Sequence, residues 1–276
     1  MEMQNFPKTN WRLLYTPPER GAMNMAVDEA ILEAVGRGEV PTTLRLYRWA
    51  PPCLSIGYAQ AVSDVDLPRL TSLSWDLVRR PTGGRAILHT DELTYAVIGS
   101  HAEPRLAGSV LQSYQVLSLA LMQSMHLLGI QAQVKDKSIH PASQNPICFE
   151  VPSNYELTVN GKKMIGSAQA RRKEGVLQHG SLPLVGDLAR ITQVLSFPSN
   201  EARKHAAQRL LTYATTVEAV LGYAITWEYA AQAFTNAFEQ SLSLNLLPDQ
   251  LSPQEQKRAI ELSGNKYDNP HWTTRG

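Results

Sequence analysis

Apolar and polar positions fall in blocks along this chain, and their period changes from block to block. Trp11 to Tyr15 reads as a short strand, closed by Pro17-Pro18. Within Ala22 to Val35, the residues Met23, Val27, Ala30, Ile31 and Ala34 recur at helical spacing, and Gly36 stops the helix. Leu44 to Trp49 alternates with period two, and Pro51-Pro52 turns it into a second strand, Cys53 to Tyr58. Asp64 to Leu70 suits a short helix. It leads into the apolar run Trp75 to Val78, and Leu93 to Val97 alternates again. Ser109 to Leu128 is the longest helical pattern: Val110, Leu111, Tyr114, Leu117, Leu121, Met125 and Leu128 share one broad face, and Gly129 ends it. Lys135 to Asn145 is polar and aperiodic, which predicts a mobile loop. Tyr155 to Val159 alternates, Asn160-Gly161 signals a two-residue hairpin, and Lys163 to Ala168 runs back. Gly175 to Leu184 suggests a further strand pair. Beyond it, Gly186 to Leu195, Ala202 to Leu211, Trp227 to Leu242 and Ser252 to Leu262 read as helices, with Leu242 to Leu247 as an edge strand. The mixture predicts a single α/β (α+β) domain of mixed sheets flanked by helices.

Composition changes this picture little. A chain of 276 residues, 43% hydrophobic and 18% charged, has enough material to bury a core as an ordinary soluble globule. The formal net charge of +1 gives no reason to expect nucleic acid as a partner. No apolar run reaches the length of a membrane span, and Met1 to Asn5 lacks the form of a signal peptide. The expectation is a cytoplasmic protein with no membrane partner. Two cysteines, Cys53 and Cys148, are too few for a disulfide framework and lack CxxC metal spacing, so both are expected as free thiols. Cys53 fits a small buried hydrophobe.

The chemistry gathers in two stretches. The first is Arg79-Arg80-Pro81-Thr82-Gly83-Gly84-Arg85, with His89 four residues on. Pro81 fixes one φ, the two glycines permit φ > 0 and close backbone approach, and the arginines bring positive charge. Two strands joined by such a turn make a cradle of N–H groups and cations, suited to a phosphate, a carboxylate or a developing oxyanion. The second stretch is the hairpin ending in Gly166-Ser167-Ala168, small where a ligand would pass, followed by His179-Gly180-Ser181. A zinc site from Cys148, His89 and His179 matches no short metal motif, so no metal is expected. A Cys–His nucleophile pair and histidines hydrogen-bonded to the backbone around the pocket both stay open.

The Arg79–Arg85 run resembles the signature of the lipoate-protein ligase and octanoyltransferase superfamily, whose ligases carry RR-x-[ST]-GGG. Arg85 in place of the third glycine is closer to octanoyltransferases of the LipM type. The family often has Asp directly after the histidine, whereas here Thr90 precedes Asp91. Four further runs carry the resemblance over roughly residues 10 to 185. They are Asn24-Met25-Ala26 with Asp28-Glu29, the SxG segment Ser55-Ile56-Gly57, the [ST]-x-x-G-[KR]-K-[IMV]-x-GSAQ pattern from Thr158 to Gln169, and LQHGS from Leu177 to Ser181. It implies a fold similar to the biotin/lipoate ligase (BPL/LPL) catalytic domain over residues 10–245. Residues 246–276 would be a helical extension packed on that core.

The activity implied is octanoyl transfer from octanoyl-acyl carrier protein to a lysine of a lipoyl-accepting protein, with the glycine-cleavage H protein named by family analogy. Cys148, in Cys148-Phe149-Glu150-Val151-Pro152-Ser153, matches the CF-[DE]-x-P-S context of the thioester-forming cysteine, and Lys163 matches the cation of G-[KR]-K. By the same resemblance, Arg79, Arg80, Thr82, Gly83, Gly84, Arg85, His89, Gly166, Ser167, Ala168, His179, Gly180 and Ser181 are expected to bind substrate. No cofactor, ATP or metal is implied, and the enzyme is expected to be a monomer. The alternatives are an ATP-dependent lipoate ligase, an amidotransferase moving octanoyl between lipoyl domains, and a non-catalytic lipoyl-domain binder.

Overall fold

The computed structural model describes residues 6–135 and 156–275. The described chain runs β1 (Thr9–Tyr15), α1 (Gly21–Gly36), β2 (Thr43–Tyr47), β3 (Cys53–Ile56), α2 (Leu67–Ser72), β4 (Asp76–Arg79), β5 (Ile87–His89) and β6 (Glu92–Gly99). It continues through α3 (Val110–Leu127), β7 (Gln133–Lys135), β8 (Glu156–Val159), β9 (Lys162–Arg172) and β10 (Gly175–Pro183). The last elements are α4 (Asn200–Tyr213), α5 (Val217–Leu221), α6 (Trp227–Leu242), β11 (Leu244–Pro248), α7 (Pro253–Leu262) and α8 (Pro270–Thr273). The predicted loop at 136–145 and the whole Cys148–Ser153 run lie outside the described residues.

Eight strands form one mixed sheet in the order β11-β1-β2-β6-β10-β9-β8-β7, with β1 parallel to both neighbours and the remaining pairs antiparallel. Alternation gives each strand two apolar faces. Leu44, Leu46, Tyr95 and Val97 join Leu117, Leu121, Phe234 and Phe238 in the core under α3 and α6. Tyr47, Ala96, Ile98 and Leu177 face the opposite layer with Met25, Ile31, Ala259 and Leu262 of α1 and α7. Because α1 lies between the sheet and α7, it is buried nearly all round. The helical signals hold at the ends: Ser109 and Gln112 form a capping box on α3, and Ser252 and Glu255 form another on α7. Asn160 and Gly161 both take positive φ, 50° and 78°, as a tight hairpin turn demands.

Two expectations change. Gly175 to Leu184 contributes one strand, β10, which pairs with β6 and β9, and no second strand of its own. The strands flanking the glycine loop do not pair with each other. A smaller sheet has the order β4-β3-β5, with β4 parallel and β5 antiparallel to β3. The loop therefore crosses the end of β3. Gly57 permits this, since a Cβ there would overlap the Gly84 carbonyl.

Candidate active site

Two cross-strand rows on the α1 face make the floor. Strand register aligns Arg45, Ala96, His179 and Ala168 across β2, β6, β10 and β9, and aligns Tyr47, Thr94, Ser181 and Gly166 two residues along. The β9 side of each row is nearly side-chain-free, and the smaller sheet closes over it with Arg80, Ile87 and His89, while Trp49 completes the wall. Counting its open mouth, the cavity holds about 330 Å³ and is walled mainly by apolar surface.

Each histidine on the wall sits between a buried carboxylate and a hydroxyl. Asp28, fully buried on α1, receives Arg45 Nη1 at 2.7 Å, Tyr47 Oη at 3.1 Å and His179 Nδ1 at 3.3 Å. Burial raises the Asp28 pKa, but Arg45 and His179 together outweigh it and hold Asp28 below its ordinary value. Burial likewise pushes His179 below its ordinary value, against the pull of Asp28, so the ring is neutral at pH 7. A neutral ring donating Nδ1–H to Asp28 must accept at Nε2, where Thr82 Oγ1 lies 2.7 Å away. His89 repeats the arrangement. Its Nδ1 is 2.6 Å from Glu92 Oε1, which also accepts from Thr94 Oγ1 and Ser181 Oγ, and its Nε2 is 2.6 Å from Ser55 Oγ. Trp49 stacks on the His89 ring at 4.0 Å and 9° and donates Nε1–H to Thr94. Both nitrogens of each imidazole thus already have partners. The histidines are hydrogen-bonded around the pocket to side chains, not to the backbone as the sequence reading has it, while the other half of a Cys–His pair, Cys148, lies outside the described residues.

The two arginines of the loop take different roles. Arg80 donates to the Ser55 carbonyl and hydroxyl and to the Gly83 and Arg85 carbonyls, which shapes the loop while its side chain lines the cavity. Arg79 is buried on backbone carbonyls: those of Gly57, Tyr58 and Gln60 on one side, and of Trp272, Thr273 and Arg275 on the other. Trp272 Nε1 returns a bond to the Arg79 carbonyl. Gly83 and Gly84 are exposed at the loop tip, Arg85 is half-buried, and Thr82 stands behind His179. The cavity wall therefore unites Arg80, His89, Gly166, Ser167, Ala168, His179, Gly180 and Ser181, while Arg79, Gly83, Gly84 and Arg85 lie off it.

Lys163 reaches the cavity's face of the sheet through a bulge. Leu157 pairs with Ile165 but Thr158 pairs with Lys163, so β9 carries one extra residue. Consecutive Met164 and Ile165 both enter the α3/α6 core, and Lys163 falls on the side of Gly166 and Ala168. It is 4% exposed, whereas Lys162 points away and donates Nζ to the Leu211 carbonyl at 2.7 Å. Cys148 is outside the described residues. Cys53 is inside the core, where burial pushes its thiol well above its ordinary value.

Asp28, Arg45, Glu92 and Trp49 hold the site together with Ser55 of the SxG segment, and sequence pattern passes over the first four as site residues. Their faint signal is a charge inside an apolar run, as with Arg45 between Leu44 and Leu46 or Asp28 after Val27. Asp91, the acid nearest the family's Asp, turns away to Arg190, and Glu92 reaches His89 instead. Among the described residues, no group of three or more His, Cys, Asp or Glu is placed to hold a metal ion, and no helix is long and apolar enough to cross a membrane.

Comparison with known proteins follows the same lines. Residues 20–239 match the lipoyl protein ligase A/B catalytic domain. The chain is similar to the octanoyltransferase LipM of Kyrpidia tusciae, at 41% identity over 271 residues, which covers 96% of this chain and 98% of that protein. It is equally similar to the octanoyltransferase LipM of Symbiobacterium thermophilum, at 41% over 274 residues, covering 97% and 99%. Among solved structures, the bi-partite lipoate protein ligase of Thermoplasma acidophilum superposes with a TM-score of 0.81 at 24% identity, covering 96% of each chain. A lipoate-protein ligase A bound with ATP gives 0.78 at 24%, covering 96% and 98%. These two show a shared fold.

Proposed function

Since the chain belongs to the lipoyl protein ligase A/B catalytic-domain family, we propose that it is an octanoyltransferase of protein lipoylation working through a cysteine thioester. Octanoyl-acyl carrier protein is the donor, and a lysine of a lipoyl-accepting protein, the glycine-cleavage H protein, is the acceptor. The observation that carries this reading is the near full-length likeness to proteins named octanoyltransferase LipM in a chain that has Cys148 in its Cys-Phe-Glu-Val-Pro-Ser run.

In the first step the Cys148 thiolate attacks the thioester carbonyl. A carbon–sulfur bond forms, the donor's carbon–sulfur bond breaks, and the carrier leaves as a thiol after taking up a proton. In the second step the neutral acceptor amine attacks the acyl-enzyme, an amide forms, Cys148 is released as thiolate, and the amine's surplus proton passes to solvent. Lys163 supports the oxyanion in both steps. The octanoyl chain would lie between the small residues of β9 and the stacked Trp49–His89 pair. Burying six methylenes at ~0.8 kcal/mol each contributes about 5 kcal/mol to holding it.

Because a thioester is already activated, transfer should run without nucleotide or Mg²⁺. The test mixes enzyme, octanoyl-acyl carrier protein and acceptor with and without ATP, and follows acceptor mass. Equal octanoylation in both is expected. A strict ATP requirement with octanoyl-adenylate on the enzyme would move the chain to the ligase reaction.

A further inference from the structure

We propose that His179, hydrogen-bonded to Thr82, is the stop that sets the length of acyl chain this enzyme accepts. This rests on the octanoyl-transfer reading and names the limit of its substrate. One face of β9 presents Gly166, Ala168, Ala170 and Arg172 in succession, each two residues from the last. Gly166 and Ala168 line the cavity described above. Ala170 and Arg172 line a second one of about 740 Å³, counting its open mouth. Strand β10 divides at the same level. His179, paired with Ala168, lines the first cavity, and Leu177, paired with Ala170, lines the second. The glycine loop above does likewise, with Arg80 on the first and Pro81 on the second.

At this boundary roof and floor are joined by one hydrogen-bonded pair. Thr82 of the loop and His179 of the sheet meet at 2.7 Å, both buried, and Asp28 holds the other ring nitrogen at 3.3 Å. An imidazole fastened at both nitrogens cannot turn aside as a free one could. On β9 the boundary has only the methyl groups of Ala168 and Ala170, so the blocking bulk comes from the ring and Thr82. Lys163 gives the chain its direction. It precedes Gly166 on the same face of β9, so a chain whose carbonyl lies at Lys163 points its terminal methyl towards His179. Beyond the ring, Glu29, Glu33, Arg172 and Lys266 make the second cavity a poor place for more hydrocarbon.

The experiment compares kcat/KM for octanoyl- and decanoyl-acyl carrier protein. Wild type should favour octanoyl by roughly tenfold or more, the usual discrimination against added methylenes at a closed wall. His179→Ala should abolish that preference, because the vacated ring space takes the two further methylenes against Ala170 and Leu177. Refilling the space from the far side, with His179→Ala/Ala170→Leu, should restore it. His179→Gln, which can keep the bond to Thr82, should retain it. Thr82→Ala frees the ring without emptying its place; it should weaken the preference, and it carries the test should His179→Ala not fold. An octanoyl preference unchanged in the folded variants, or a wild type indifferent to chain length, would overturn the assignment. A wild type that transfers neither chain would overturn the transfer reading itself, whereas transfer without the change in preference overturns only the stop.

Discussion

Replacing Asp28 by Asn removes one charge from the centre of the site while keeping its shape. Asp28 and Arg45 are both fully buried, so the change strands a guanidinium in the core. Breaking a buried pair this way costs about 3–5 kcal/mol. Arg45 keeps the side-chain and backbone oxygens of Asn24, the Thr16 hydroxyl and the Tyr47 ring face, which places the loss near the lower end, about 3 kcal/mol. For a chain of this size that lowers Tm by roughly 6–12 °C. The histidine changes too. If the new amide turns its oxygen to Arg45, its NH₂ meets the Nδ1–H of His179, donor against donor. The ring must then shift its proton to Nε2 and reverse the bond to Thr82. Urea unfolding at constant m-value measures the first effect. The Asp28→Asn/Arg45→Met double variant separates its cause, because it removes the stranded charge and should be more stable than Asp28→Asn alone. A loss under about 1 kcal/mol, or a double variant that merely adds its two singles, would refute this reasoning.

Lys163→Ala should lower acyl transfer by roughly 10²–10³, the usual cost of losing one oxyanion donor. Lys162→Ala, on the other side of the strand, should be nearly silent, and steady-state kinetics with both variants checks the pair. His179 has a folded pKa below its ordinary 6.5, so its neutral form supports the fold fully above pH 6.5. That support is lost as pH falls from 6.5 through the folded pKa, because the unfolded chain takes up the proton first. Urea stability measured at pH 7.5 and pH 5 should therefore fall more for wild type than for His179→Gln. Ending the chain after Asn269 removes three of the carbonyls that hold Arg79. The glycine loop should then exchange its amide hydrogens faster, and the donor KM should rise more than kcat falls.

The longer helices and strands of this protein are legible in its sequence because they carry a clear period and a boundary signal, such as Gly36, Ser109 or Asn160-Gly161, whereas β7, α5 and α8 are too short to show a period. Partnership is less legible. The apolar run at Trp75–Val78 marks one strand and the glycine turn implies a returning one, but nothing local says that β3 lies between Asp76–Arg79 and Ile87–His89. The site divides the same way. The small residues of β9 and the two histidines stand out because their chemistry is local. Arg79 looks like a ligand-binding cation until the carbonyls of Trp272, Thr273 and Arg275, nearly 200 positions away, fold onto it. Asp28 and Glu92 are hidden for the opposite reason. They lie in segments whose apolar pattern already has a structural explanation; the packing of α1 on β10 brings His179 to Asp28, and the register of β10 on β6 brings Ser181 to Glu92.

The central claim is that the octanoyl group rests on Cys148 between donor and acceptor. Intact mass of the enzyme after mixing with octanoyl-acyl carrier protein alone tests it most directly. The account predicts a single octanoyl adduct that hydroxylamine removes and that added acceptor discharges, with Cys148→Ser giving no hydroxylamine-labile adduct. A wild-type enzyme that octanoylates its acceptor with no adduct at any time, or a Cys148→Ser enzyme that transfers at the wild-type rate, would contradict it.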